Sequence, residues 1–219
     1  MGMALSAFAR TKGRIYDETF RVPGGAVCLD FCNSGQAMRD SRGIEWIPGY
    51  YDLVDWLDAA EAVPHAQAMR LRRAARGSPG AATAAWKRAI VLRETLFRVF
   101  DAAARCEAAA RADLDHIATT YAATLAYGRL EWSDNGYAWR LDPETTSLLA
   151  VLQPIVGSAV ELMTSEKLSR LRRCGSATCH WLFLDETRNC SRRWCEMASC
   201  GNLAKVRRHR EKGRARQAD

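Results

Sequence analysis

Four cysteines in two short pairs are the side chains of this sequence best suited to chemistry. Cys174 and Cys179 form one C-x4-C pair, and Cys195 and Cys200 form a second, with fifteen residues between the pairs. Each pair can offer two thiolates to one tetrahedral ion, and Zn²⁺ in a closed Cys₄ shell is the usual occupant. An iron–sulfur cluster takes the same four ligands; disulfides and ordinary buried thiols are the other readings. Two evenly spaced pairs within 27 residues speak against unrelated buried thiols. The opening Met1-Gly2-Met3-Ala4 lacks the charged-then-apolar pattern of a secretory leader. A reducing, cytoplasmic setting is therefore expected, and with it metal rather than disulfide. Cys190 falls in a turn outside either pair and is read as a spectator, and His180 as the neighbour of a shell already filled by thiolates.

A closed thiolate shell leaves no position for water or substrate, so the expected Zn²⁺ is structural. It folds a module too small to hold itself together by apolar burial. The working surface is then the basic helix expected after Cys200. Lys205, Arg208 and Lys212 recur on one face of it, flanked by Arg207 and Arg210. Asn202 stands at its start, where an amide can reach an adenine edge or a phosphate. Arg188, Arg192 and Arg193 extend the surface from the preceding turn. Most of these nine candidate DNA contacts would neutralise phosphates, which fixes position without reading sequence. Charge distribution agrees. The chain carries a net +7, yet residues 170–219 hold 13 Lys and Arg against 5 Asp and Glu, while the part before them sits at −1. A basic excess confined to one end points to a polyanionic partner there. A solvated basic face, or an RNA or protein contact, are the competing readings.

The elements that must position this site come next. Residues 181–185 read as a short strand leading into a turn, which gives a knuckle, a hairpin and then a helix carrying the last ligand: a treble clef. Upstream, residues 18–22 alternate as a strand does, 23–25 form a turn, and 26–31 read as a second strand or an extended approach to a helix. Helices are expected over 52–62, 66–76, 82–110 and 112–127, with buried apolar stripes at helical spacing. Asn135-Gly136 marks a hairpin between 127–132 and 137–141. Asp142 is placed to cap a helix running to 172, with a kink or break at Pro154. The fold class is α+β, mostly helical: an N-terminal helical domain with short β-hairpins over 16–170, then a small C-terminal treble-clef zinc finger over 171–213. A helix running straight into the first ligand would couple the two rigidly. Cys28 and Cys32 are read as small buried side chains. No apolar run approaches the ~20 residues needed to span a bilayer, so no membrane partner is expected. Metalloprotease, nucleophile-elbow and phosphate-loop motifs are missing from the sequence.

The run C-x4-C-x-W-x-F-x-D, then S-R-R-W-C-x-M-x-x-C-G-N, resembles the CGNR zinc finger family. It is carried by Cys174, Cys179, Trp181, Phe183, Asp185, Ser191, Arg192, Arg193, Trp194, Cys195, Met197, Cys200, Gly201, Asn202 and Lys205. Residues 28–34 are similar to the L-D-F-x-N-T opening of the ABATE domain that precedes this finger, with Ser34 in the threonine position. Residues 51–57 resemble its D-L-x-x-W-L helix, and Arg93-Glu94 its L-R-E pattern. The resemblance implies a bacterial transcription regulator: a DNA-binding finger behind a sensor for a small molecule or stress signal. One position departs, Leu203 standing where the family has arginine after Cys-Gly-Asn. Any phosphate or base contact that arginine makes is lost here. Asp30, Asn33 and Arg39 are candidates to line an effector pocket, Arg39 gripping an anion with its fork of donors. The alternative is that Asp30 and Asn33 cap or turn the backbone, as short polar side chains do. A homodimer is compatible with reading repeated half-sites. The rival class is an enzyme built on 16–170, or an RNA- or protein-binding protein, with the finger as an anchor.

Overall fold

The computed structural model describes residues 24–35, 45–133, 136–207 and 209–210. The strand expected at 18–22, the candidate Arg39 and the basic residues Arg208 and Lys212 lie outside them. Helix α1 (Val27–Asn33) sits at the centre of the helical part, packed against α4 (Pro79–Ala104) and α6 (Leu152–Thr164). Helices α2 (Tyr50–Ala59) and α3 (His65–Gly77) pack on each other and on α4, and α5 (Arg111–Thr124) packs on α4 and α6. Ala26 is extended and residues 27–31 are helical, so the segment is an approach to a helix rather than a strand. Cys28, Leu29, Phe31 and Cys32 are all buried. Four apolar side chains within five residues suit the middle of a helical layer better than a sheet with one wet face.

The long helix α4 starts with Pro79 in its first turn, where the missing N–H costs nothing. Its buried stripe is Ala82, Ala85, Ala89, Leu92, Leu96 and Phe100, so alanines let α1 and α2 approach closely. It ends at Ala104, six residues before its expected end. Cys106 adopts a left-handed conformation (φ 59°), Cys106 N–H donates to Ala103 and Glu107 N–H donates to Ala102. That is the Schellman stop of a helix, made without glycine. Glu61 ends α2 in the same way, with φ 55° and Ala62 N–H donating to Leu57.

Two antiparallel hairpins complete the fold. β1 (Gly128–Ser133) pairs with β2 (Gly136–Leu141), as Asn-Gly predicted. The helix expected from Asp142 does not form there. The Asp142 carboxylate accepts Glu144 N–H at 3.0 Å and its carbonyl accepts Thr145 N–H, closing a turn instead. A 3₁₀ turn over Leu148–Val151 then leads into α6, and Pro154 falls in the first turn of that helix, where it needs no kink. Another 3₁₀ turn (Glu166–Arg170) and strand β3 (Leu171–Arg173) deliver the chain to Cys174, so the first ligand is reached from a strand and not from a helix. β3 pairs with β4 (Leu182–Leu184). Among the described residues no helix is long and apolar enough to cross a membrane.

Candidate metal centre and nucleic-acid interface

The β3–β4 hairpin holds the first cysteine pair in its connecting knuckle. A wide π-helical turn (Met197–Gly201) holds Cys200, and a helix α7 follows over residues 202–207. The four Sγ atoms of Cys174, Cys179, Cys195 and Cys200 lie within 4.8 Å of one another, all buried. Cys179 and Cys195 are 3.8 Å apart, and Cys195 and Cys200 3.7 Å. Zn–S bonds of ~2.3 Å in a tetrahedron require sulfur separations of about 3.8 Å. The set cannot hold four negative charges unaided. Hydrogen bonds from Cys179 and Cys195 draw the Cys174 thiol far down, and the same bonds push Cys179 and Cys195 up. A dication at the centre removes that conflict. Cys195 N–H points at Cys174 Sγ, 3.5 Å away, an outer-shell donor of the kind that steadies a ligating thiolate. Cys190 is exposed, and His180 faces the Arg173 guanidinium.

Strand β4 divides its side chains between two cores. Leu182 and Leu184 join the core of the helical part, and Phe183 joins the cysteines with Trp181 and Trp194. Its backbone is pinned from the same side. Asn33 donates to Leu182 O at 2.9 Å and accepts Leu182 N–H at 2.8 Å. Leu184 N–H donates to Gly24 O at 2.9 Å, and Gly24 N–H in turn donates to Asp30 Oδ1 at 2.8 Å. A Cβ at position 24 would stand 2.8 Å from that carboxylate oxygen, so only glycine fits between. The start of the helical part is therefore knitted edge-on to the finger.

The polar residues of the finger sort into two groups. Arg192 is turned inward. It donates to Trp194 O at 3.0 Å and to Cys195 O, and its guanidinium lies 4.4 Å from the Phe183 ring centroid. Buried Asp185 accepts Arg192 N–H at 2.8 Å and Thr187 N–H at 3.0 Å. Burial pushes its carboxyl up, but the bonds from Thr187 and Arg192 outweigh this and hold it below the ordinary carboxylate range. Arg188, Arg193, Lys205, Arg207 and Arg210 are exposed. Asn202 is exposed too, with its amide donating to Ala198 O at 3.1 Å, and Leu203 is exposed beside it.

Asp30 and Asn33 occupy the interior and bond backbone groups; Arg39 is outside the described residues. Asp30 titrates at about 7, raised by burial and lowered only in part by the bond from Gly24. The folded state thus holds this proton more tightly than the unfolded chain. Its contribution to stability is full below about pH 4 and is lost as pH rises towards 7. Asp30→Asn keeps the acceptor for Gly24 and cannot ionise. Its stability relative to wild type should climb between pH 4 and 7, by up to ~4 kcal/mol, and level off above. Denaturant melts of both proteins at matched zinc would check this; a constant gap would refute it. Arg93 of the L-R-E pattern has a partner that the sequence does not indicate. It is 2% exposed and grips Glu45 with both arms at 2.8 and 2.6 Å, anchoring the start of the 45–50 loop to α4.

Family comparison adds two matches. The ABATE model, described as "Putative stress-induced transcription regulator", matches residues 25–166, and the CGNR zinc finger model matches residues 170–213. No curated protein matches the chain. The metal centre is accordingly a Cys₄ zinc site.

Proposed function

The chain belongs to the ABATE family and carries a CGNR zinc finger behind that region, and from this premise we propose that it is a DNA-binding transcription regulator. The finger meets DNA through its exposed cations. The observation that carries the reading is the set Arg188, Arg193, Lys205, Arg207 and Arg210, all exposed on a module whose fold is fixed by zinc. Rigid presentation of cations at a metal-locked turn and helix suits a phosphate backbone. Arg192, committed to carbonyls within the finger, shapes that surface rather than touching the ligand. The signal, a small molecule or stress cue received by the helical part, would reach the finger through the Asn33–Leu182 and Gly24–Leu184 links.

The test is a polarisation titration of the full-length, zinc-loaded protein on duplex fragments recovered by genomic selection. If four or five phosphates are engaged, a fourfold rise in salt should weaken binding by about 150- to 500-fold. The double variant Lys205→Ala/Arg207→Ala should bind more weakly and lose about two from the slope of log affinity against log salt. A flat salt response, or a slope that the double variant leaves unchanged, would remove this function. Equal affinity for single-stranded RNA would move the reading to an RNA-binding protein.

A further inference from the structure

The β1–β2 hairpin presents its apolar face outward. Its register sets Leu130 opposite Trp139 and Trp132 opposite Tyr137, and strand alternation places all four on one side. Trp132 is 71% exposed, Tyr137 75%, Leu130 63% and Trp139 44%. Leu141, at the base of the same face, is buried in the core. The face is preformed. The Trp132 and Tyr137 rings meet edge-on with centroids 5.2 Å apart. The Trp139 indole lies across Gly128, on the space any side chain there would take. An exposed apolar patch of several hundred Å² is often a functional surface.

We propose that a second copy of the chain docks here, two hairpins packing face to face about a twofold axis. Area supports that occupant. With 150–250 Å² available per aromatic side chain, the exposed fractions leave about 500 Å² per copy, or about 1,000 Å² in a dimer, the threshold of a specific interface. An isologous contact needs a self-complementary surface, and an apolar two-stranded face with one Trp–Tyr pair and one Leu–Trp pair is one. Charge argues against a nucleic acid or an anionic membrane at this hairpin. The hairpin and its base hold Arg129 and Arg140 against Glu131 and Asp142. Arg129 is held by Glu131 at 2.7 Å and Asp142 at 3.5 Å. A polyanion would find no basic excess there.

Sedimentation velocity of the full-length, zinc-loaded protein without DNA tests this directly. Wild type should show a reversible dimer, with hydrogen-exchange protection of residues 128–141 that grows with concentration. Trp132→Ser/Tyr137→Ser removes two exposed side chains and should raise the dimer dissociation constant about 100-fold or more at unchanged zinc content. Leu130→Glu, which sets like charges across the axis, should act in the same direction. A wild type that stays monomeric at about 100 µM would overturn the proposal. So would a dimer that both variants leave intact, or a monomer whose hairpin is protected by added single-stranded DNA. Since no duplex is present, failure here and failure of duplex binding are separate results.

Discussion

Cys195→Ser should cost the protein its zinc and unfold most of the finger while the helical part stays folded. Cys195 is the most enclosed of the four ligands at 1% exposure, within 3.8 Å of Cys179 and 3.7 Å of Cys200. A serine oxygen is shorter and a poor zinc ligand, and three thiolates are left without a full shell. Zinc binding supplies ~10–16 kcal/mol in finger-sized peptides, and that free energy is folding free energy. Apart from its sulfurs, the small core here has Phe183, Trp181 and Trp194, far too little apolar area to replace it. The edge of the unfolding is the sharper part of the prediction. Leu171, Leu182 and Leu184 belong to the core of the helical part. Exchange protection should vanish over residues 174–181 and 190–207 and persist at 171–173 and 182–184. A strong chelator on the wild type should give the same pattern. Zinc retained at one per chain, or loss of protection throughout the protein, would contradict it.

The metal site could be read from the sequence because its geometry is local. Two thiolates five residues apart fit one knuckle, and the ion brings the two knuckles together. Helices α2 to α5 were legible from the spacing of their apolar residues. Their ends were less so. Cys106 and Glu61 close α4 and α2 in a conformation usually given to glycine, and nothing in their chemistry announces it. Asp142 reads as a helix start from sequence, because an N-cap and an Asx turn use the same carboxylate-to-backbone bond. Arg192 shows a different limit. Its type and place among arginines suggest a phosphate contact, whereas its side chain points at three carbonyls of the finger. Composition reports how many cations a segment has, not which way each faces. The junction was the least legible feature. Asn33 and Leu182 are 149 residues apart, and one partner is a backbone, which leaves no mark on residue type.

That junction carries the second large expectation. Asn33→Leu should lower the stability of the whole protein by roughly 2–6 kcal/mol, because both the N–H and the C=O of Leu182 lose their partner and each buried orphan costs about 1–3 kcal/mol. Asn33 is 2% exposed, so water cannot substitute without opening the packing between α1 and β4. For a chain of this size the loss corresponds to a fall in melting temperature of about 5–20 °C. Asn33→Asp keeps the acceptor for Leu182 N–H but cannot donate to its carbonyl when ionised, and should fall between. Global destabilisation alone would not separate a coupling residue from an ordinary core residue; the zinc does. Wild type should release its metal to a chelator only as slowly as the whole fold opens. The Asn33→Leu protein should release it at least ~10-fold faster under conditions where α1 to α6 remain folded, because β4 then frays towards Cys179 on its own. Equal release rates would mean that the finger holds its zinc independently of α1. In that case a shift of α1 could not be transmitted to the basic surface by this route, and regulation would have to act elsewhere.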